Sequence, residues 1–208
     1  MTTLLLIRHG ETALNIARVL QPADTPLSAR GIVQAEALAA RLATLGVGAI
    51  LSSDLPRARR TAEAIAAATG APLECTPLLQ ERNFGDWRGQ PYDGLALDPL
   101  TMAAAPPNGE STAAFAQRSA EAFAFALQRH AALGDGGGAL AVVSHGLLIQ
   151  ALLAAQVQLA DGTARPAHLG NASLTIVDAR PPHRASLLND TQHLDRVAPD
   201  DDRALSGG

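Results

Sequence analysis

The sequence predicts an α/β fold, a three-layer sandwich in which a mainly parallel sheet lies between helices. Short continuous apolar runs, typical of strands buried on both faces, alternate along the chain with longer segments of helical periodicity. This alternation is typical of βαβ units, in which each helix crosses back over the sheet. No internal repeat or long linker divides the 208 residues, so we expect one domain over residues 1–208.

The first half of the chain contains three predicted strands and two predicted helices. Ser28 is a plausible N-cap and Gly46 a plausible end for the first helix, between which apolar residues recur at helical spacing. Pro56 lies in the first turn of the second helix, and Gly70 lies at its end. The predicted strands are residues 3–7, 48–53 and 71–77.

The second half begins with a segment that differs from the rest. Residues 89–109 are rich in Pro, Gly and Asp, and we expect them to form a lid-like excursion from the core. A polar tail at 195–208 is expected to be frayed. Between them lie predicted helices at 110–132 and 147–157, and predicted strands at 139–146, 172–179 and 185–190.

Composition excludes several classes of protein. A net charge of −4 argues against a nucleic-acid-binding protein, and no apolar run approaches the roughly 20 residues of a membrane helix. The single cysteine, Cys75, excludes an internal disulfide framework and a cysteine-rich zinc cluster. The N-terminal apolar run has no preceding basic residue, unlike a signal peptide, so we expect a cytoplasmic location.

Polar residues follow the predicted strands in a pattern that indicates a phosphate site. Arg8 and His9 follow the first strand, Arg57 lies just beyond the second, and His145 ends a later one. The carboxyl ends of parallel strands meet at one edge of the sheet, so we expect these side chains to converge there. Arginine matches phosphate oxygens, and a neutral imidazole is a competent nucleophile near pH 7. A metal site is a weaker interpretation, because neighbouring arginines disfavour a bound cation.

Four motifs in order, "LIRHGET", "SSDLPRARRTA", "LLQERNFGDWRG" and "VVSHG", resemble those of the histidine phosphatase superfamily, which includes the cofactor-dependent phosphoglycerate mutases. The resemblance extends from about residue 4 to residue 193. It implies a phosphoglycerate mutase-like fold and an enzyme that acts on a small phosphate ester through a phosphohistidine, without a metal or organic cofactor.

The resemblance also implies roles for individual residues. His9 resembles the nucleophile, and Glu81 resembles the acid that protonates the leaving group and then activates water. Asn15 is either an accessory phosphate contact or a turn residue. The implied catalytic set is His9, Glu81 and His145, and the implied phosphate-binding set is Arg8, Asn15, Arg57 and His145. The histidines outside these motifs are predicted to be structural or solvated: His130, His168, His183 and His193.

Two segments help to distinguish a phosphatase from a mutase. Family mutases carry cations in an insertion after the acid motif, but residues 89–109 contain no Arg, Lys or His, which leaves Arg82 and Arg88 as candidate carboxylate partners. "FGDWRG" followed by "PPNGES" resembles the phosphatase branch, including alpha-ribazole phosphatase-like and broad-specificity members. We therefore expect a phosphomonoesterase. The alternatives are a 2,3-bisphosphoglycerate-dependent phosphoglycerate mutase and a non-catalytic phosphate-binding module.

Three aromatic residues and one short segment have no assigned role. Phe84, Trp87 and Tyr92 either line an apolar mouth or pack beneath the excursion. "NDTQHL" at 189–194 recurs near the chain end of family relatives.

Overall fold

In a computed structural model of the chain, which describes residues 2–92, 95 and 102–195, six strands form one sheet. The strands are β1 (Thr3–Arg8), β2 (Val47–Ser53), β3 (Leu73–Thr76), β4 (Ala139–Ser144), β5 (Leu174–Asp178) and β6 (Ala185–Asp190). The α-helices are α1 (Ala13–Ile16), α2 (Ala29–Leu42), α3 (Pro56–Thr69), α4 (Thr112–Ala131) and α5 (Gly146–Ala155).

The order of strands places the predicted polar ends side by side. The sheet runs β3-β2-β4-β1-β5-β6, with β2, β3, β4 and β1 parallel and β5 antiparallel to both of its neighbours. This confirms the predicted α/β sandwich with a mainly parallel sheet. Because β1 and β4 are adjacent and β2 lies beside β4, the carboxyl ends of these three strands form one continuous edge.

Burial on both faces explains why β1 is a continuous apolar run. Leu4 and Leu6 pack into the core cluster that contains Phe123 of α4 and residues of α5. Leu5 and Ile7 point to the opposite face and pack against α2 and α3. Successive side chains of a strand alternate between faces, so a strand covered by helices on both sides needs apolar residues throughout.

Local chemistry shifts several predicted boundaries. The helix predicted to reach Gly46 ends at Leu42, and a tight turn follows before Gly46 adopts a positive φ of 64°. The third strand is shorter than predicted, because Pro77 begins a 3₁₀ turn. The short helix α1 was not predicted. It begins with a capping box in which Thr12 and Asn15 each accept a backbone hydrogen bond from the other.

Parts of the predicted excursion and tail fall outside the described residues. These are residues 93–94 and 96–101 of the excursion and residues 196–208 of the tail. Throughout the described part of the chain, no helix combines the length and apolar character needed to cross a membrane.

Candidate active site

The carboxyl edge of the sheet brings the predicted site residues together. His9 directly follows β1, His145 directly follows β4, and their rings approach edge to face with centroids 5.0 Å apart. Arg57 and Arg8 lie close enough to lower the pKa of both imidazoles through their charges. The convergence predicted from the strand ends is therefore present in the structure.

The hydrogen bonds of His9 select its tautomer. Its Nδ1 lies 2.7 Å from the carbonyl oxygen of Gly10, and since a carbonyl only accepts, Nδ1 carries the proton. Nε2 therefore keeps its lone pair, and it is buried with no hydrogen-bond partner among the described residues. Burial, then the charges of Arg57 and Arg8, hold the pKa of His9 well below 6.5. The imidazole is thus neutral and oriented as a nucleophile requires.

His145 is fixed by the end of β2. Its Nε2 lies 2.8 Å from Oγ of Ser53, which also accepts a hydrogen bond from the backbone N–H of Leu55. A hydroxyl can donate as well as accept, and in the tautomer in which Ser53 donates to Nε2, Nδ1 carries the proton and can donate to a bound anion. That Nδ1 is buried and has no partner in the part of the chain that the structure describes.

Glu81 is held by the first turn of α5. Its carboxyl oxygens accept the backbone N–H groups of Arg82 and Leu147, both at 3.0 Å, and of Leu148 at 3.2 Å. These hydrogen bonds favour the carboxylate, but the group is only 4% exposed, and burial outweighs them and raises its pKa. A carboxyl group that keeps its proton to higher pH suits a general acid.

Two buried guanidinium groups supply the positive charge of the site. Arg8 donates to the carbonyl oxygen of Leu169. Arg57 lies in the first turn of α3, and its Nε has no partner among the described residues. Burial lowers the pKa of Arg57 to about 10, so the group stays charged at neutral pH. Two cations beside neutral imidazoles make this buried region favourable for a dianion such as a phosphate group.

Asn15 adopts the turn role that the sequence left open. It is fully buried in α1, and its side-chain oxygen accepts from the Thr12 N–H at 3.1 Å. Its contact with phosphate stays a prediction, because the capping box explains its position without a ligand.

Sequence reasoning missed the residues that hold the loop carrying His9. The N–H of Gly10 donates to Oγ1 of Thr61 at 3.1 Å, and the N–H of Glu11 donates to Oε1 of Gln34 at 2.8 Å. Gly31 of α2 lies so close that an added Cβ would sit 2.0 Å from the carbonyl oxygen of Glu11. The feature of the sequence that could have indicated this contact is the pair of glycines, Gly10 and Gly31, because the lack of a Cβ allows the two backbones to approach.

The aromatic residues after Glu81 contribute to packing. Phe84 and Tyr92 are buried in a small cluster with Leu20, and Trp87 packs against it. This supports the packing interpretation over an apolar mouth. Arg59, two residues after Arg57, pairs with Glu63 on the exposed face of α3.

No group of three or more His, Cys, Asp or Glu side chains is placed to hold a metal ion within residues 2–92, 95 and 102–195.

A family model and a named relative both match this chain over nearly its whole length. A family model described as histidine phosphatase superfamily (branch 1) matches residues 4–191. A relative named probable phosphoglycerate mutase GpmB, from Yersinia pestis (strain Pestoides F), is 35% identical over 217 residues, covering 97% of this chain and 99% of the relative.

Two solved structures share the fold over most of their length. A mycobacterial glucosyl-3-phosphoglycerate phosphatase is 30% identical with a TM-score of 0.74, covering 90% of this chain and 98% of that chain. An Escherichia coli protein assigned as a candidate alpha-ribazole-5′-P phosphatase is 28% identical with a TM-score of 0.73, covering 91% and 97% respectively.

Proposed function

Because the chain belongs to the histidine phosphatase superfamily (branch 1), we propose that it is a phosphomonoesterase acting on a small phosphorylated metabolite through a phosphohistidine intermediate. One observation carries the proposal: the buried, unpartnered Nε2 lone pair of His9, whose Nδ1–H is held by Gly10. That nitrogen lies in a region with two arginines and one carboxyl group of raised pKa. These are the groups that phosphoryl transfer to nitrogen requires.

In the first step, the phosphoryl group of the substrate binds among Arg8, Arg57 and His145. Nε2 of His9 attacks phosphorus in line, and the bond between phosphorus and the leaving oxygen breaks. The carboxyl group of Glu81 gives its proton to that oxygen, so the alcohol departs neutral. The arginines stabilise the charge on the equatorial oxygens during transfer.

In the second step, a water molecule replaces the alcohol. The Glu81 carboxylate takes a proton from this water as its oxygen attacks phosphorus. The bond between nitrogen and phosphorus breaks, inorganic phosphate leaves, and His9 returns to its neutral form. This cycle uses no metal or organic cofactor.

The pH dependence of the reaction follows from two opposite pKa shifts. The pKa of Glu81 is raised, so the acid form required in the first step extends to higher pH before it is lost. The pKa of His9 is lowered, so the nucleophile stays neutral as the pH falls below 6.5. We expect kcat/KM for an alkyl phosphate to be level below the raised Glu81 pKa and to fall as the pH rises through that pKa.

A pH–rate profile with two substrates measures this effect. An alkyl phosphate has a poor leaving group, so its cleavage needs the Glu81 proton. The nitrophenolate of p-nitrophenyl phosphate departs largely without that proton, so kcat/KM for this ester should decrease less at alkaline pH. A profile for the alkyl ester that rises continuously from acidic to alkaline pH would contradict the assigned role of Glu81.

The substrate class is proposed from the composition of the segment that follows the acid motif. Residues 89–109 contain no basic residue, so they offer no cation to a second acidic group on the substrate. The glucosyl-3-phosphoglycerate phosphatase and the candidate alpha-ribazole-5′-P phosphatase among the structural neighbours support hydrolysis as the outcome. We propose an alpha-ribazole phosphatase-like or broad-specificity enzyme within this class.

A phosphoglycerate mutase is the second candidate, favoured by the relative named GpmB. Of the two arginines that could bind a glycerate carboxylate, Arg82 already donates to the carbonyl oxygens of Met102 and Glu110. Arg88 lies near enough to Arg57 for its charge to lower the Arg57 pKa. If the protein is a mutase, Arg88 is therefore its best-placed carboxylate partner.

One experiment separates the candidates. Purified protein is assayed for phosphate release from a panel of phosphomonoesters, and for interconversion of 2- and 3-phosphoglycerate with and without 2,3-bisphosphoglycerate. We expect the rate of phosphate release from at least one ester to exceed the rate of interconversion. Arg88→Ala should change the rate of phosphate release little. Faster interconversion that is lost in Arg88→Ala would establish the mutase. Phosphate binding without turnover on any ester would establish a binding module.

A further inference from the structure

The loop at residues 168–173, here called the pocket loop, contacts both Arg8 and His9 at the end of β1. The carbonyl oxygen of Leu169 accepts a hydrogen bond from the guanidinium of Arg8. The backbone N–H of Ala172 donates to the carbonyl oxygen of His9 at 3.0 Å. The position of this loop therefore sets the position of a phosphate-binding cation and of the nucleophile.

The pocket loop does not hold this shape through local preference alone. Ala172 is fully buried and has a φ of +52°, a conformation that residues other than glycine rarely adopt. Such a conformation is strained and persists only where surrounding contacts impose it. The contacts that do so come from residues 189–193, further along the chain.

Asn189, at the end of β6, binds the pocket loop at two points. Its Oδ1 accepts the backbone N–H of Gly170 at 2.8 Å, and its Nδ2 donates to the carbonyl oxygen of His168 at 3.2 Å. Asn189 itself has a φ of +51°, which asparagine tolerates better than most residues. This backbone conformation directs the side-chain amide of Asn189 toward the pocket loop.

His193 binds the pocket loop at a third point. Its Nε2 lies 3.0 Å from the carbonyl oxygen of Ala172, so Nε2 carries the proton and donates it. Its Nδ1 lies 3.2 Å from a guanidinium nitrogen of Arg41, which can only donate, so the imidazole is neutral. Arg41 is in turn fixed by an ion pair with Asp190.

From these contacts we propose that Asn189 and His193 are positioning residues for the phosphate pocket. They hold the pocket loop so that Leu169 orients Arg8 and Ala172 orients His9. This gives the segment 189–194 a role in the site, although no side chain in it is placed to touch the phosphate group. The inference rests on the proposed function for its choice of pocket, and its test includes readouts that do not need turnover.

The test compares three variants at a temperature where all are folded, as judged by thermal unfolding. His193→Ala removes the donor to Ala172, His193→Gln keeps an amide N–H near the position of Nε2, and Gln192→Ala removes the exposed neighbouring side chain as a matched control. We expect His193→Ala to lower kcat/KM and to weaken the binding of inorganic phosphate, each about tenfold. His193→Gln should recover most of both losses, and Gln192→Ala should match the wild type.

Hydrogen exchange supplies an independent readout. The amides of residues 168–173 should exchange faster in His193→Ala than in His193→Gln. Asn189→Gly, which keeps the positive φ but removes the amide, should have the same effect should His193→Ala fail to fold. Unchanged exchange in the variants would overturn the proposal, and so would faster exchange with wild-type phosphate affinity. Wild-type protein that binds phosphate without hydrolysing any ester would reject only the proposed hydrolysis, because affinity and exchange still decide the positioning role.

Discussion

His9→Ala is expected to abolish phosphate release, with kcat lower by roughly 10⁴-fold or more, as for other residues that form a covalent intermediate. The second imidazole of the site, His145, is not placed to supply the missing lone pair, because its Nε2 is engaged with Ser53 at 2.8 Å. The measurement is steady-state turnover together with trapping of covalent ³²P from a labelled ester by denaturation at alkaline pH, where a phosphohistidine is stable.

The same variant should still bind inorganic phosphate, because Arg8 and Arg57 are unchanged. This separates loss of the nucleophile from loss of the fold. His130→Ala, which removes a partly buried histidine in the last turn of α4, serves as the matched control and should keep both turnover and label. Covalent ³²P label on His9→Ala equal to that of the wild type would show that the phosphoryl group is carried elsewhere.

Glu81→Gln is expected to lower kcat for an alkyl phosphate by about 10²–10⁴-fold, the range typical of a lost general acid–base group. Glutamine has nearly the same shape but cannot give a proton to the leaving oxygen or accept one from water. In Glu81 the two carboxyl oxygens accept hydrogen bonds from the backbone N–H groups of Leu147 and Leu148. In the variant, the NH₂ group of glutamine faces one of these donors and cannot accept from it, which lowers the stability of the fold modestly.

The substrate dependence of this variant identifies which step Glu81 serves. With p-nitrophenyl phosphate, the first step needs little acid assistance, so the nitrophenolate should appear in a burst followed by slow hydrolysis of the phosphohistidine. Glu63→Gln, on the exposed face of α3, is the matched control and should behave as the wild type. Equal losses for alkyl and aryl esters with no burst would contradict the assigned role.

The sequence allowed the fold and the main site residues to be predicted because both depend on short-range patterns. A strand buried on both faces is visible as a continuous apolar run, and parallel strands bring their carboxyl ends together. Arg8, His9 and His145 lie directly at such ends, so the sheet alone determines that they meet.

The supporting residues could not be predicted in the same way. Gln34 reaches the loop of His9 through one hydrogen bond from a helix, and His193 reaches it through the carbonyl oxygen of Ala172. Gln34 has no local pattern that distinguishes it from a surface Gln, and "NDTQHL" singles out the segment of His193 without indicating what His193 contacts. Both roles arise only when distant segments pack together. Helix α1 was missed for a different reason: four residues are too few to show helical periodicity.

The order of strands also has a consequence for when the site comes into existence. β1 and β4 are neighbours in the centre of the sheet, but they are far apart in sequence, and the pocket loop is anchored by β6, which follows later still. A nascent chain growing from the ribosome therefore carries His9 well before the second histidine and the pocket loop are made. The proposed phosphate pocket cannot assemble until β6 has been made, and recovery of phosphate binding after refolding should report pairing of β1 with β4.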